Sequence, residues 1–199
     1  MKDSTQKSVT LDSIIVRSKS VLASSAQNTI LCDIHNGSEI LLNSFVNKVI
    51  ADRFIRDVDK GIILLCLCEG LRISEVLCIT SANFISVDKV FVQGKKGSFD
   101  RVVTVKYYHD ALLSFCRSEH CLSNAGNRFY YYRLMKKLGI IFQSSNSSKA
   151  SITHAGRHLL ADSLYTHMRD IELSQRTLGH KSVNSTRHYV EEKQNKKRQ

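Results

Sequence analysis

Leu178-Gly179-His180-Lys181-Ser182-Val183-Asn184-Ser185-Thr186-Arg187-His188-Tyr189 sets a histidine directly after a glycine and a tyrosine nine positions after that histidine. Leu178-Gly179 reads as a helix end with its C-cap glycine, a turn that holds one imidazole in place. A further helix is predicted around Tyr189. Moving upstream, His154 and Arg157 stand three apart, a spacing that puts both on one helical face, and His158 follows them. Further back, Arg72 is a lone cation in the apolar helical run Gly70-Leu71-Arg72-Ile73-Ser74-Glu75-Val76. A guanidinium there needs an anion, either Glu75 three residues on or a ligand. Each feature alone has a plain structural reading: a surface pair for His154 and Arg157, an ordinary turn for Gly179-His180, a half-buried amphipathic side chain for Tyr189.

The 199 residues suffice for one domain with a core, or a small domain plus an arm. Lys and Arg number 29 against 18 Asp and Glu, a net charge of +11. That surplus favours a polyanionic partner, because each phosphate neutralised releases a counterion. Six cysteines form no CxxC pair and no zinc-ligand spacing, and Cys66, Cys68 and Cys78 lie in apolar stretches where a thiol serves as a small core residue. No signal-peptide pattern heads the sequence, and Gly61–Cys68 is too short to span a bilayer, so a reduced, cytoplasmic setting is expected.

Residues 1–36 are polar and mixed, with some strand character at Val9–Val16, and read as a partly ordered arm. From Ser38 the pattern is helical, with Ile40, Leu41, Phe45, Val49 and Ile50 recurring mostly at spacings of three to five. Asp57-Val58-Asp59 is a candidate cap for a helix whose run Ile62-Ile63-Leu64-Leu65-Cys66-Leu67 is apolar nearly all round, the mark of burial on most sides. Val90-Phe91-Val92 and Val102-Val103-Thr104-Val105 flank a basic, glycine-containing loop, Gln93 to Arg101, and predict a β-hairpin. Helices are expected near 108–118, 126–138, 152–167 and 170–177, and Gln143–Ser151 is a serine-rich loop.

Taken together, order and spacing resemble the tyrosine recombinase (phage integrase) family. Gly70–Glu75 matches its GLRxSE element, His154-Ala155-Gly156-Arg157-His158 its HxxRH element, and Leu178-Gly179-His180 with Tyr189 its last element. The 23 positions from Arg157 to His180 also suit it, and the likeness spans roughly residues 38–190. The resemblance implies an α+β, mainly α-helical fold, the tyrosine-recombinase catalytic-domain fold, with a small antiparallel sheet. It implies catalytic roles for Arg72, Lys96, His154, Arg157, His180 and Tyr189, with Glu75 and His158 supporting. The hairpin lysine is open by one position: the count back from the strand selects Lys96, the preferred choice, and the count forward from Gly94 selects Lys95. Lys95, Lys96, Arg101 and Arg187 are expected at DNA.

Two departures stand out. Ala155-Gly156 replaces a bulky residue before the second arginine, which predicts looser helix packing, and the proline that follows the hairpin arginine in the family is absent. Residues 1–36 leave no room for a separate core-binding domain, so the expectation is a short form, similar to fimbrial-switch invertases, with 37–199 as the catalytic domain ending in a short basic tail. By resemblance the reaction is DNA cleavage and rejoining through a 3′-phosphotyrosyl bond without metal, cofactor or ATP. The implied partners are double-stranded DNA at specific sites, further copies forming a tetramer on DNA, and accessory directionality or bending proteins. The implied source is bacterial or carried by a phage or plasmid, with the protein at the nucleoid. The competing readings are a type IB topoisomerase- or relaxase-like nicking enzyme and a DNA-binding regulator derived from a recombinase; each differs in its product.

Overall fold

The computed structural model describes residues 36–95, 97–141 and 152–190. The arm read over 1–36, apart from Asn36, lies outside them, as do the serine-rich loop, the C-terminal tail and Lys96. Helix α1 (Asn36–Ala51) buries Leu42, Phe45, Val46 and Val49, spaced three and four apart, along one stripe. Ile40, counted into that stripe from the sequence, instead faces solvent at 63% exposure.

Helix α2 (Asp57–Cys68) is the centre of the core: every residue from Val58 to Cys68 is buried. Its all-round apolar sequence is satisfied by α1, by α4 (His109–Glu119) and by α6 (Ala155–Met168), which all pack on it. Asp59 does not cap this helix as the sequence suggested. Arg56 occupies the cap position, and its side chain caps no helix N–H. Asp59 turns inward and accepts hydrogen bonds from Arg56 Nε at 2.7 Å, Tyr130 Oη at 3.1 Å and Tyr131 Oη at 2.8 Å. A buried carboxylate is tolerable only with partners of this kind.

A one-turn helix α3 (Ile73–Val76) leads to the sheet, whose order is β1 (Phe84–Ser86), β2 (Lys89–Val92), β3 (Arg101–Thr104), all antiparallel. Val90, Val92, Val103 and Val105 point inward as the period of two predicts. Phe91 and Val102, paired across β2 and β3, face out. Strand β1 had no sequence signal, being three residues long with two exposed. Helix α5 (Arg128–Lys137) follows α4, and α7 (Ile171–Leu178) and α8 (Val183–Val190) pack on α6. This is the mainly helical α+β arrangement expected from the sequence. Among the described residues no helix is long and apolar enough to cross a membrane.

The prediction of loose packing beside Arg157 is overturned. A Cβ on Gly156 would stand 2.4 Å from Leu67 Cα and 2.5 Å from the Cys66 carbonyl oxygen, so α6 and α2 make their backbone contact there. The missing side chain permits close approach rather than leaving a gap. Gly156→Val should therefore strain the core by about 1–3 kcal/mol or more, lowering the urea midpoint. An unchanged midpoint would show that the two helices separate freely. Cys66 and Cys68 are core residues, and burial pushes the Cys68 thiol up to about 12. Cys78 is not: it is exposed, and the Lys95 amine donates to its sulfur.

Candidate active site

Gly70 closes the turn after α2 in the left-handed region, with φ at +59°, which an L side chain rarely adopts. The turn buries Leu71 and leaves Arg72 at the start of α3, its side chain 16% exposed. Arg72 and Glu75 bind each other twice. The Arg72 backbone N–H donates to Glu75 Oε2 at 2.9 Å, and Arg72 Nη1 donates to Oε1 at 3.1 Å. Arg72 Nη1 also donates to the Ser98 hydroxyl and to the Lys95 carbonyl. Arg101 Nη2 reaches Glu75 Oε2 at 3.1 Å, so one buried carboxylate holds two guanidiniums. Burial pushes the Glu75 pKa up. The Arg72 backbone N–H, Arg101, the Ser98 hydroxyl and Arg157 outweigh that, and the net pKa lies below the usual carboxylate value.

Arg157 enters from the first turn of α6 and is 1% exposed. Its Nη1 donates to the Gly70 carbonyl at 2.8 Å, Nη2 to the Leu178 carbonyl at 2.6 Å, and Nε to His180 Nε2 at 3.2 Å. One side chain thus joins the turn after α2, the end of α7 and the histidine beyond it. Gly179 is the C-cap in the left-handed region, as read from the sequence, with φ at +67°. His180 is 1% exposed. Because Nε2 accepts from Arg157, the neutral ring carries its proton on Nδ1, which donates to Thr186 Oγ1 at 2.9 Å.

Burial first, then the charges of Arg157, Arg72 and Arg101, drive the His180 pKa down to about 3 against the pull of Glu75. The folded pKa lies below the unfolded one of about 6.5, so between these values the unfolded chain binds the extra proton. The stability this group contributes is complete above about pH 6.5 and is lost as pH falls toward 3. Urea melts at pH 7 and pH 4.5 should show wild type losing more stability on acidification than His180→Asn. Equal losses would contradict a neutral, buried ring.

His154 is half-buried and sits just before α6, at its cap rather than on the helix face the i, i+3 spacing suggested. It nonetheless shares the cluster. Burial, then Arg72, Arg157 and Arg128, lower its pKa, with Glu75 opposing. Tyr189 lies in the last turn of α8, one turn beyond Thr186, which is fully buried. The Thr186–His180 hydrogen bond therefore ties the helix that carries the tyrosine to the cluster.

The hairpin loop docks on the same turn. Phe99 N–H donates to the Gly179 carbonyl at 2.7 Å, Lys181 N–H to the Gly97 carbonyl at 2.9 Å, and Ser98 and His180 form a β-bridge. Arg72 with Glu75, His154 with Arg157, and His180, drawn from three separate stretches, thus gather in one mainly cationic cluster.

The family model for the phage integrase family matches residues 42–196 of the chain. The chain belongs to this family, the tyrosine recombinases. Among curated proteins it is similar to a tyrosine recombinase of Agathobacter rectalis, 27% identical over 143 residues that cover 66% of this chain and 47% of that protein. It is also similar to the tyrosine recombinase XerD of Chlamydia muridarum, 28% identical over 163 residues, 75% of this chain and 54% of that protein. The chain spans about half the length of these curated relatives. The fold resembles the XerH site-specific recombinase solved as a post-cleavage complex bound to palindromic difH substrate. The TM-score is 0.58 at 23% identity, covering 89% of this chain and 54% of that one. It also resembles the XerA recombinase, with TM-score 0.55 at 20% identity over 90% of this chain and 69% of that one. These likenesses establish the tyrosine-recombinase catalytic-domain fold.

Among the other residues expected in the site, His158 is half-buried on α6, and Arg187 is exposed on α8. Lys95 is half-buried with its amine on Cys78, and Lys96 lies outside the described residues. Arg101, expected at DNA, is largely enclosed. Its side chain is 10% exposed and its guanidinium is spent inward on Glu75. Three contributors had no sequence signal: Ser98 and Thr186, whose partners lie on other segments, and Arg128, an exposed cation at the start of α5 within electrostatic reach of His154. Among the described residues no three of His, Cys, Asp and Glu are gathered to hold a metal ion.

Proposed function

We propose that the chain is a site-specific DNA recombinase that cuts and rejoins strands through a 3′-phosphotyrosyl intermediate on Tyr189. The observation that carries this reading is the convergence of Arg72, Arg157 and His180 around Glu75, with α8 fastened to His180 through Thr186. Membership of the family and a fold shared with a recombinase solved on its difH substrate support it.

In this reading the Tyr189 oxygen attacks a backbone phosphorus and the bond to the 5′-oxygen breaks. The number of phosphodiester-type bonds is unchanged, so rejoining needs no ATP. Arg72 and Arg157 hold the non-bridging oxygens as charge grows on them, the electrostatic work a metal ion does elsewhere. A phenol of pKa about 10 needs a base, and His154, kept neutral by burial and by its cationic neighbours, takes its proton. His180 donates to the phosphate from Nε2. That requires the other tautomer and the turning of Arg157 Nε–H from Nε2 to the phosphate, and the Thr186 hydroxyl can serve either tautomer, accepting from Nδ1–H or donating to bare Nδ1. The leaving 5′-oxygen receives its proton from Lys96, or from Lys95 beside it, on the hairpin. Glu75 fixes the orientation of Arg72, and His158 supports the start of α6. Arg128 and Arg187 are exposed cations suited to flanking phosphates.

The substrate is double-stranded DNA carrying specific sites, handled in the cytoplasm by four copies on paired sites, with accessory bending or directionality proteins. A plasmid bearing the chain's native flanking DNA should be inverted, excised or integrated at defined positions. Relaxed or nicked plasmid without rearrangement would instead assign a topoisomerase- or relaxase-like activity. Specific binding without breakage would assign a regulator.

A further inference from the structure

We propose that Arg101 is a positioning residue, a clamp that locks the hairpin loop, Glu75 and the Gly179-His180 turn into one unit. The inference rests on the recombinase reading above and moves Arg101 from the DNA to the frame of the site.

Four observations converge on it. Arg101 Nη2 donates to Glu75 Oε2 at 3.1 Å, on the carboxylate that also holds Arg72. Its Nη1 donates to the Phe99 carbonyl at 3.3 Å, bracing the loop from inside. The guanidinium lies directly over Gly179: a Cβ there would stand 2.7 Å from Arg101 Nη1 and 3.0 Å from its Cζ, so this glycine also makes room for the arginine. Finally, Arg101 Nε is buried and has no hydrogen-bond partner among the described residues.

The geometry gives the clamp a consequence for chemistry. The segment it braces delivers Phe99 N–H to the Gly179 carbonyl and receives Lys181 N–H on the Gly97 carbonyl. It also carries Ser98, whose hydroxyl meets Arg72. Loosening Arg101 therefore frees two partners at once, the hairpin with its lysines and the turn with His180. The ionic surroundings of His180 include Arg157 from α6, Arg72 and Glu75 from the start of α3, and Arg101 from β3, with Thr186 of α8 on its Nδ1. Arg101 is the member of that set that belongs to the hairpin.

The test compares Arg101→Met, Arg101→Lys and Gly179→Ala in the full chain. In a positioning role, Arg101→Met lowers single-turnover cleavage at saturating DNA about tenfold or more. It leaves DNA affinity and its salt slope unchanged, and Lys rescues poorly because it lacks the planar fork that reaches Glu75 and the Phe99 carbonyl from two separate nitrogens. Gly179→Ala, which crowds the guanidinium and also strains the left-handed turn, slows cleavage in the same way, and Arg101→Lys remains informative if Arg101→Met does not fold. In a DNA-contact role, Arg101→Met shifts the logarithmic salt slope by about 0.9, and Lys restores binding; that result overturns the proposal. A readout without DNA separates this inference from the recombinase reading: amide exchange at Phe99 and Lys181 accelerates in Arg101→Met relative to the α2 core. Unchanged exchange at both amides, with cleavage at the wild-type rate or absent from wild type as well, likewise overturns it.

Discussion

Arg157→Ala is expected to lose on the order of 3–5 kcal/mol of stability, whatever it does to catalysis. The side chain is among the largest that are fully buried, and its removal opens a cavity in the seam between α6 and the end of α7. It also leaves the Gly70 and Leu178 carbonyls without the donors that reach them at 2.8 and 2.6 Å. An unmatched buried acceptor costs about 1–3 kcal/mol. Arg157→Lys separates the two roles. It keeps the cation but not the planar fork that spans both carbonyls, so it should fold with reduced stability and cleave DNA about 10²–10³ more slowly. Urea denaturation measures the first effect and single-turnover cleavage the second. An Ala variant as stable as wild type would mean that Arg157 does not join these segments in solution, and a Lys variant of wild-type rate would remove it from the phosphate.

Tyr189→Phe should abolish covalent capture of DNA while leaving affinity within about twofold, because it deletes the attacking oxygen and little else. A nicked duplex that loses its short downstream strand on cleavage accumulates the adduct with wild type, and denaturing gels count it. Persistence of the adduct in the Phe variant would move the nucleophile to another side chain. The pH dependence follows from His154. Its pKa is held below the ordinary histidine value, so the basic form persists to lower pH than an exposed histidine would allow. Cleavage should hold through mildly acidic conditions and fall only beyond them.

The residues proposed to meet the phosphate were legible because each sits in a local pattern: Gly70 with Arg72, His154 with Arg157, Gly179 with His180, and Tyr189 at a fixed distance after it. The helices were legible from apolar spacing, and the hairpin from its paired valines. What the sequence hid depends on contacts between segments far apart in the chain. Asp59 looks like a cap until Tyr130 and Tyr131, more than 70 residues away, turn it inward. Gly156 looks like lost packing until Leu67 is seen against it. Cys78 sits in an apolar run yet surfaces beneath the hairpin. Arg101 on a basic loop reads as a DNA contact because nothing nearby in sequence announces Glu75, 26 positions earlier. Charge pairing across the fold carries no periodicity, so composition shows a cationic protein without telling which cations face the partner.

The chemistry attributed to the cluster is most directly tested by locating the DNA-linked residue in wild type. After capture on a nicked duplex and digestion of protein and DNA, peptide mass spectrometry should find a nucleotide joined through its 3′-phosphate to Tyr189. Arg72→Ala should form the same link on the order of 10²–10³ more slowly. A link to any other side chain, or one through a 5′-phosphate, would contradict the account.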